Sequence, residues 1–123
     1  MTDVGNELIT SNRAIDNIGI IAIDKFGNIY LADNSNHTIQ KSHSNWKFIT
    51  KWGSTGSGHA QFNGTLNIDT DPIANVYIFD GDNQSIQKFE RAGKFLEGLD
   101  FSNIYNNIQF FDVSNTNPNI TLL

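Results

Sequence analysis

The stretch Asp24-Lys25-Phe26-Gly27-Asn28-Ile29-Tyr30-Leu31-Ala32-Asp33-Asn34-Ser35-Asn36-His37-Thr38-Ile39-Gln40-Lys41 decides the fold. It occurs a second time as Asp71-Pro72-Ile73-Ala74-Asn75-Val76-Tyr77-Ile78-Phe79-Asp80-Gly81-Asp82-Asn83-Gln84-Ser85-Ile86-Gln87-Lys88. The copies lie 47 residues apart and align without a gap; from Ile21 to Phe48, 11 of 28 positions are identical across that offset. Self-similarity with a period of about 20–50 residues marks a solenoid, a propeller or an array.

Each copy breaks into short β-type runs separated by turn residues. Ile20–Ile23 is apolar, and Asp24–Asn28 reads as a turn in which Asp and Asn bond their own backbone and Gly27 takes positive φ. Ile29–Ala32 is apolar without alternation, as expected of a strand covered on both faces. Thr38–Lys41 brings polar alternation, and Trp46–Trp52 reads as an outer, half-exposed strand. Gly53–Gly58 has the composition of a flexible linker. In the second copy the first strand is eroded to Ile68-Asp69-Thr70, and Ala74 stands where Gly27 stood, which puts that turn in doubt because Ala resists positive φ.

These readings predict an all-β chain of two four-stranded antiparallel units plus flanking strands; that the units are blades of a partial β-propeller is implied by their resemblance to a known repeat family. Residues 1–19 form an N-terminal tail or a closing strand, the two being equally supported around Glu7–Thr10. The first blade occupies 20–57, the second 58–100, and residues 101–123 start a third repeat that stops after one or two strands. Tyr30, Ile39 and Phe48, with Tyr77, Ile86 and Phe95, are expected at matching core positions. Two blades alone would leave two outward faces without partners, so self-association or further blades are expected.

With 123 residues the chain makes about one domain. Apolar residues are 38% and charged residues 17%, and the Asn-rich turns suit a β protein. The net charge is −5 and the eight basic residues are scattered, which disfavours binding to nucleic acid. The absence of Cys excludes disulfides, thiolate metal sites and a Cys nucleophile, and leaves the compartment open. No signal-peptide pattern and no apolar run of membrane-spanning length is visible, so no membrane association is expected.

The residues resemble the NHL repeat, a four-stranded propeller blade. Gly56-Ser57-Gly58-His59-Ala60-Gln61-Phe62 matches that family's lead into a blade. Asp24, Gly27, Asn28, Tyr30, Ala32, Asp33, Asn36, Ile39 and Lys41 match its body, and Trp52-Gly53 its end. The match covers residues 20–100. It departs at the missing Pro after Phe62, at Ala74 and in the third copy.

No combination of residues carries chemistry strongly. His37 stands inside the motif, but its counterpart is Gln84, which favours a rim residue over a ligand. Asp33–Asn36 and Asp80–Asn83 have too few carboxylates for a calcium loop. Tyr30 and Tyr77 repeat and therefore belong to the core, whereas Trp46 is replaced by Gly93 and is freer to contact a ligand. The candidate ligand contacts are thus Trp46, His37 and Asp82, with no catalytic, cofactor or metal residues assigned. The resemblance implies a non-enzymatic propeller fragment that acts as an interaction scaffold for a protein or glycan. The alternative is a fragment of an NHL-like propeller enzyme, a metal-dependent lyase or hydrolase with its site mostly outside this chain. For that role the inner strands offer Asp24, Asp69 and Asp71.

Overall fold

The computed structural model describes residues 18–100, 111–113 and 120–122. The described residues contain strands and turns and no helix. Strands β1 (Ile18–Ile23), β2 (Ile29–Asp33), β3 (Thr38–Ser42) and β4 (Phe48–Trp52) form one antiparallel sheet in chain order. A short parallel pair follows, β5 (Ser54–Thr55) with β6 (Gln61–Phe62). Strands β7 (Thr65–Thr70), β8 (Val76–Asp80), β9 (Ser85–Phe89) and β10 (Phe95–Asp100) form the second antiparallel sheet. Finally β11 (Phe111–Val113) pairs with β12 (Ile120–Leu122). Neither sheet closes on itself.

The 47-residue offset holds in three dimensions. Ile18 pairs with Asp33 as Thr65 pairs with Asp80, and both pairings shift register one step later, at Ile20 and at Asn67. The eroded first strand of the second copy is therefore a full six-residue strand. One apolar anchor, Ile68, is buried, and main-chain pairing with β8 supplies the rest. The turn in doubt also forms. Ala74 adopts φ 66° where Gly27 adopts 85°, and both close the same backbone loop: Gly27 N donates to Asp24 O (3.0 Å) and Ala74 N to Asp71 O (2.9 Å). The small Ala74 side chain is buried, and that packing offsets the strain of a left-handed Ala.

The sheets pack face to face. Tyr30, Ala32 and Ile39 of the first meet Ile68, Val76, Ile78 and Phe89 of the second around Phe62, with Trp52 and Phe95 at the margin. Tyr30 and Ile39, with Tyr77 and Ile86, are buried as expected, but Phe48 and Phe95 are only half-buried. These two open the outermost strands, where one flank has no neighbouring strand.

Two further expectations need correction. In β3, Gln40, Lys41 and Ser42 are buried despite their polarity. Gly53–Gly58 is not a free linker: β5 pairs with β6, Gly56 N donates to Phe62 O (3.2 Å), and Asn83 Nδ2 donates to Gly56 O (2.9 Å). On the faces turned away from the shared core several large side chains are buried. Leu31 and Gln40 on the first sheet and Tyr77, Phe79 and Ile86 on the second are all buried. Exposed apolar residues concentrate instead at Ile21, Ile23, Leu96 and Leu99 on the edge strands and at Phe26 and Ile73 in the turns. The proposed tail or closing strand at 1–19 lies almost wholly outside the described residues. Of the incomplete third repeat, only β11 and β12 are described.

Candidate functional site

The motif carboxylates build the turns. Asp24 Oδ1 accepts from the amides of Phe26 (2.9 Å) and Asn28 (3.0 Å), and Oδ2 accepts from Asn28 Nδ2 (3.2 Å) and Tyr30 Oη (3.0 Å). Asp71 does the same with Ile73 N (3.1 Å), Asn75 N (2.9 Å), Asn75 Nδ2 (3.1 Å) and Tyr77 Oη (3.0 Å). Burial and the adjacent carboxylates push both tyrosine hydroxyls well above their ordinary range. At the other end of the strands, Asp33 accepts from Ser35 N, Asn36 N and Asn36 Nδ2. Asp80 repeats this with Asp82 N, Asn83 N and Asn83 Nδ2, and also holds Asn63 N (2.6 Å) and Gly64 N (3.1 Å).

Basic and amide side chains then tie one unit to the next. Lys41 Nζ donates to Arg91 O (2.5 Å) in the turn before β10 and sits 5.4 Å from the centre of the Tyr30 ring. Burial lowers the Lys41 ammonium pKa, opposed by the charge of Asp24. Gln87 holds the connection between the sheets. Its Oε1 accepts from Ala60 N (2.7 Å), and its Nε2 donates to Gln61 O (3.0 Å) and Gly58 O (3.3 Å).

That connection and the second sheet enclose a cleft of about 300 Å³, lined by Ser57, His59, Asn83, Ser85, Phe95 and Asp100 among others. Its aromatic wall is His59 stacked on Phe95, with centroids 4.2 Å apart and planes 15° apart. A flat apolar surface beside amide, hydroxyl and carboxylate groups suits a small polar ligand with one apolar face, such as a sugar or a peptide side chain. A second cleft, of about 430 Å³ at the neighbouring ends of β1 and β7, gathers Asp24, Asp69 and Asp71 with Lys25. Both oxygens of Asp24 and of Asp71 are already engaged in the turns described above.

The three residues singled out from sequence do not meet in one site. His37 closes the β2–β3 turn at φ 58° with Nδ1 buried and unpaired, and Asp82 is exposed in the equivalent β8–β9 turn. Trp46 lies at the opposite end of β3, at φ 70°, its amide donating to His43 O (2.9 Å). None of the three lines either cleft. Of the residues lining the first cleft, sequence reasoning placed Phe95 in the core and His59 in the lead into the second unit, and it did not single out Ser85. The available signal was the identity of Gln87 with Gln40 across the 47-residue offset.

No family model matches this chain, and no curated protein matches it. Among solved structures it is similar to the crystal structure of a Bacteroides fragilis NCTC 9343 protein described as a "putative exported protein". The TM-score is 0.68 at 14% identity over 83% of this chain, which spans 28% of the length of that one. The similarity is one of fold. No helix among the described residues is long and apolar enough to cross a membrane.

Proposed function

We propose that the chain is a pair of NHL-type propeller blades that works as a non-enzymatic interaction scaffold for a protein or glycan partner. The observation that carries this reading is how polar residues divide between the two copies. Those identical across the offset, such as Asp24/Asp71, Asn28/Asn75, Asp33/Asp80 and Asn36/Asn83, hydrogen-bond their own turns. Several that differ, including His37/Gln84 and Ser35/Asp82, sit in the turns at the sheet ends, as does the Trp46/Gly93 pair. A scaffold keeps its frame and varies its rim. The cleft beside His59 and Phe95 is the recess best suited to a partner group. The test is amide chemical-shift mapping of the labelled chain against panels of short peptides and oligosaccharides. Saturable shifts at Ser57–His59, Asn83–Ser85 and Asp100 are expected. Shifts confined to the Asp24–Asp69–Asp71 cleft, or turnover of a ligand, would overturn it.

The alternative reading, a piece of a metal-dependent propeller lyase or hydrolase, would draw on Asp24, Asp69 and Asp71. Two of these are held as turn acceptors, and a metal would have to compete with four hydrogen bonds at each. The scaffold reading is therefore preferred.

A further inference from the structure

The cleft beside His59 and Phe95 is built on one face of the outer strand of the second sheet. Strand β10 shifts register between Phe95 and Glu97, and Gly98 and Asp100 then stand opposite Gln87 and Ser85 of β9. A Cβ on Gly98 would meet Phe95 Cζ at 3.6 Å, so the Phe95 ring lies along the bare backbone of Gly98. Asp100 follows two residues on, on the same face and about 7 Å along the strand. His59 is exposed and stacks on Phe95 from the connection between the sheets. The amide hydrogens of the lining are spent. Gln87 Nε2 donates to Gly58 O and Gln61 O, and Asn83 Nδ2 donates to Gly56 O and Asp80 Oδ2. Among the described residues no Lys or Arg lines the cleft. The lining offers acceptors instead, the Asp100 carboxylate with the Ser57 and Ser85 hydroxyls, beside a flat aromatic wall.

We propose that this cleft takes the guanidinium of an arginine side chain in a protein partner. The planar cation stacks on the His59–Phe95 wall and turns its edge to the Asp100 carboxylate, with the Ser57 and Ser85 hydroxyl oxygens as further acceptors. A carboxylate has room for about four hydrogen bonds, so Asp100 can serve the ligand beside any other contact. Charge selects the cation. Exposed Asp82 stands in the neighbouring β8–β9 turn, and the chain carries a net charge of −5. A phosphate or a partner carboxylate would enter that field with no amide hydrogen to meet it. A neutral sugar needs donors as well as acceptors, and the amides that would supply them are engaged. Arginine carries five donors and no acceptor, the complement of this lining. The volume of about 300 Å³ is at the small end of ligand sites and suits a single side chain. Gln87 and Asn83 fix the connection that bears Ser57 and His59, so the wall is formed before the partner arrives. The inference rests on the scaffold reading and narrows its partner to a protein.

Amide chemical-shift titration of the full labelled chain with an end-capped Gly-Arg-Gly peptide tests it. The same peptide with citrulline in place of arginine keeps the shape and loses the charge. Saturable shifts are expected at Ser57–His59, Ser85 and Asp100, with the citrulline peptide binding at least about tenfold more weakly. Asp100→Asn, at an exposed strand end, should weaken the arginine peptide by at least about tenfold and leave the citrulline peptide unchanged. Equal affinity for the two peptides in the native chain would overturn the proposal, and that comparison needs no variant. Shifts at these amides from a neutral oligosaccharide, with none from the arginine peptide, would overturn the arginine assignment and leave the scaffold reading standing. Shifts from either ligand confined to the Asp24–Asp69–Asp71 cleft would overturn both.

Discussion

Tyr30 donates its hydroxyl proton to Asp24 across 3.0 Å, and Asp24 accepts four hydrogen bonds in all from its own turn and strand. Tyr77 and Asp71 reproduce the arrangement at the same distance. The side chains that most resemble a site in the sequence are thus the fasteners of the β1–β2 and β7–β8 turns.

Removing Asp24 or Asp71 should therefore be costly. Asp24→Ala leaves three donors and a buried tyrosine hydroxyl without their acceptor. With a loss of roughly 1–3 kcal/mol for an unsatisfied buried group, and some donors reaching water, about 3 kcal/mol is expected. The urea midpoint measures it, and Asp71→Ala should give a similar drop.

The tyrosines also set an alkaline limit. Both hydroxyls are held protonated in the folded state above the ordinary value of 10.0, chiefly by burial. Above about pH 10 the unfolded chain releases protons that the folded chain retains, so stability falls as pH rises. Urea midpoints between pH 8 and 11 should decline. The Tyr30→Phe/Tyr77→Phe double variant should start lower at pH 8 and decline less steeply.

Gly27→Ala is expected to be mild. Ala74 shows that this turn admits an Ala at positive φ, and a Cβ on Gly27 would meet Ser44 Cβ at an ordinary 3.6 Å. The cost is the left-handed conformation, about 1–2 kcal/mol, read as a small fall in melting temperature with an unchanged far-ultraviolet spectrum.

Much of this was legible beforehand. The offset, the two four-strand units and the burial of Tyr30, Ile39, Tyr77 and Ile86 follow from identical residues at identical spacing. What was not legible depends on contacts between units. Ala74 reads as a defect until its buried methyl is seen, and the Gly/Ser stretch reads as a linker until Gln87 and Asn83 are found holding it. Lys41 looks solvent-facing because its partner, Arg91 O, lies 50 residues away. His37, Trp46 and Asp82 each differ between the copies and lie in turns at the ends of the sheets, where no neighbouring strand fixes what they contact.

Lys41 should be the more sensitive of the two matched lysines. It bridges from the first sheet to a turn of the second and is 5% exposed, whereas Lys88 is half-buried beside the Tyr77 ring at 5.6 Å. Lys41→Met is expected to cost about 1–3 kcal/mol. A thermal melt should show a larger loss for Lys41→Met than for Lys88→Met.

The central claim is that two copies of one repeat fold as a single packed unit through the Tyr30–Trp52–Phe89 contact, with ring centroids 6.4 and 5.5 Å apart. Native-state hydrogen exchange at matched amides tests it most directly. Leu31 and Ile78, in the central strands of the two sheets, should exchange with the same opening free energy and lose it together in Phe89→Ala. Full protection at one of the pair, with the other exchanging as in an unfolded chain, would show that the sheets are separate and contradict the account.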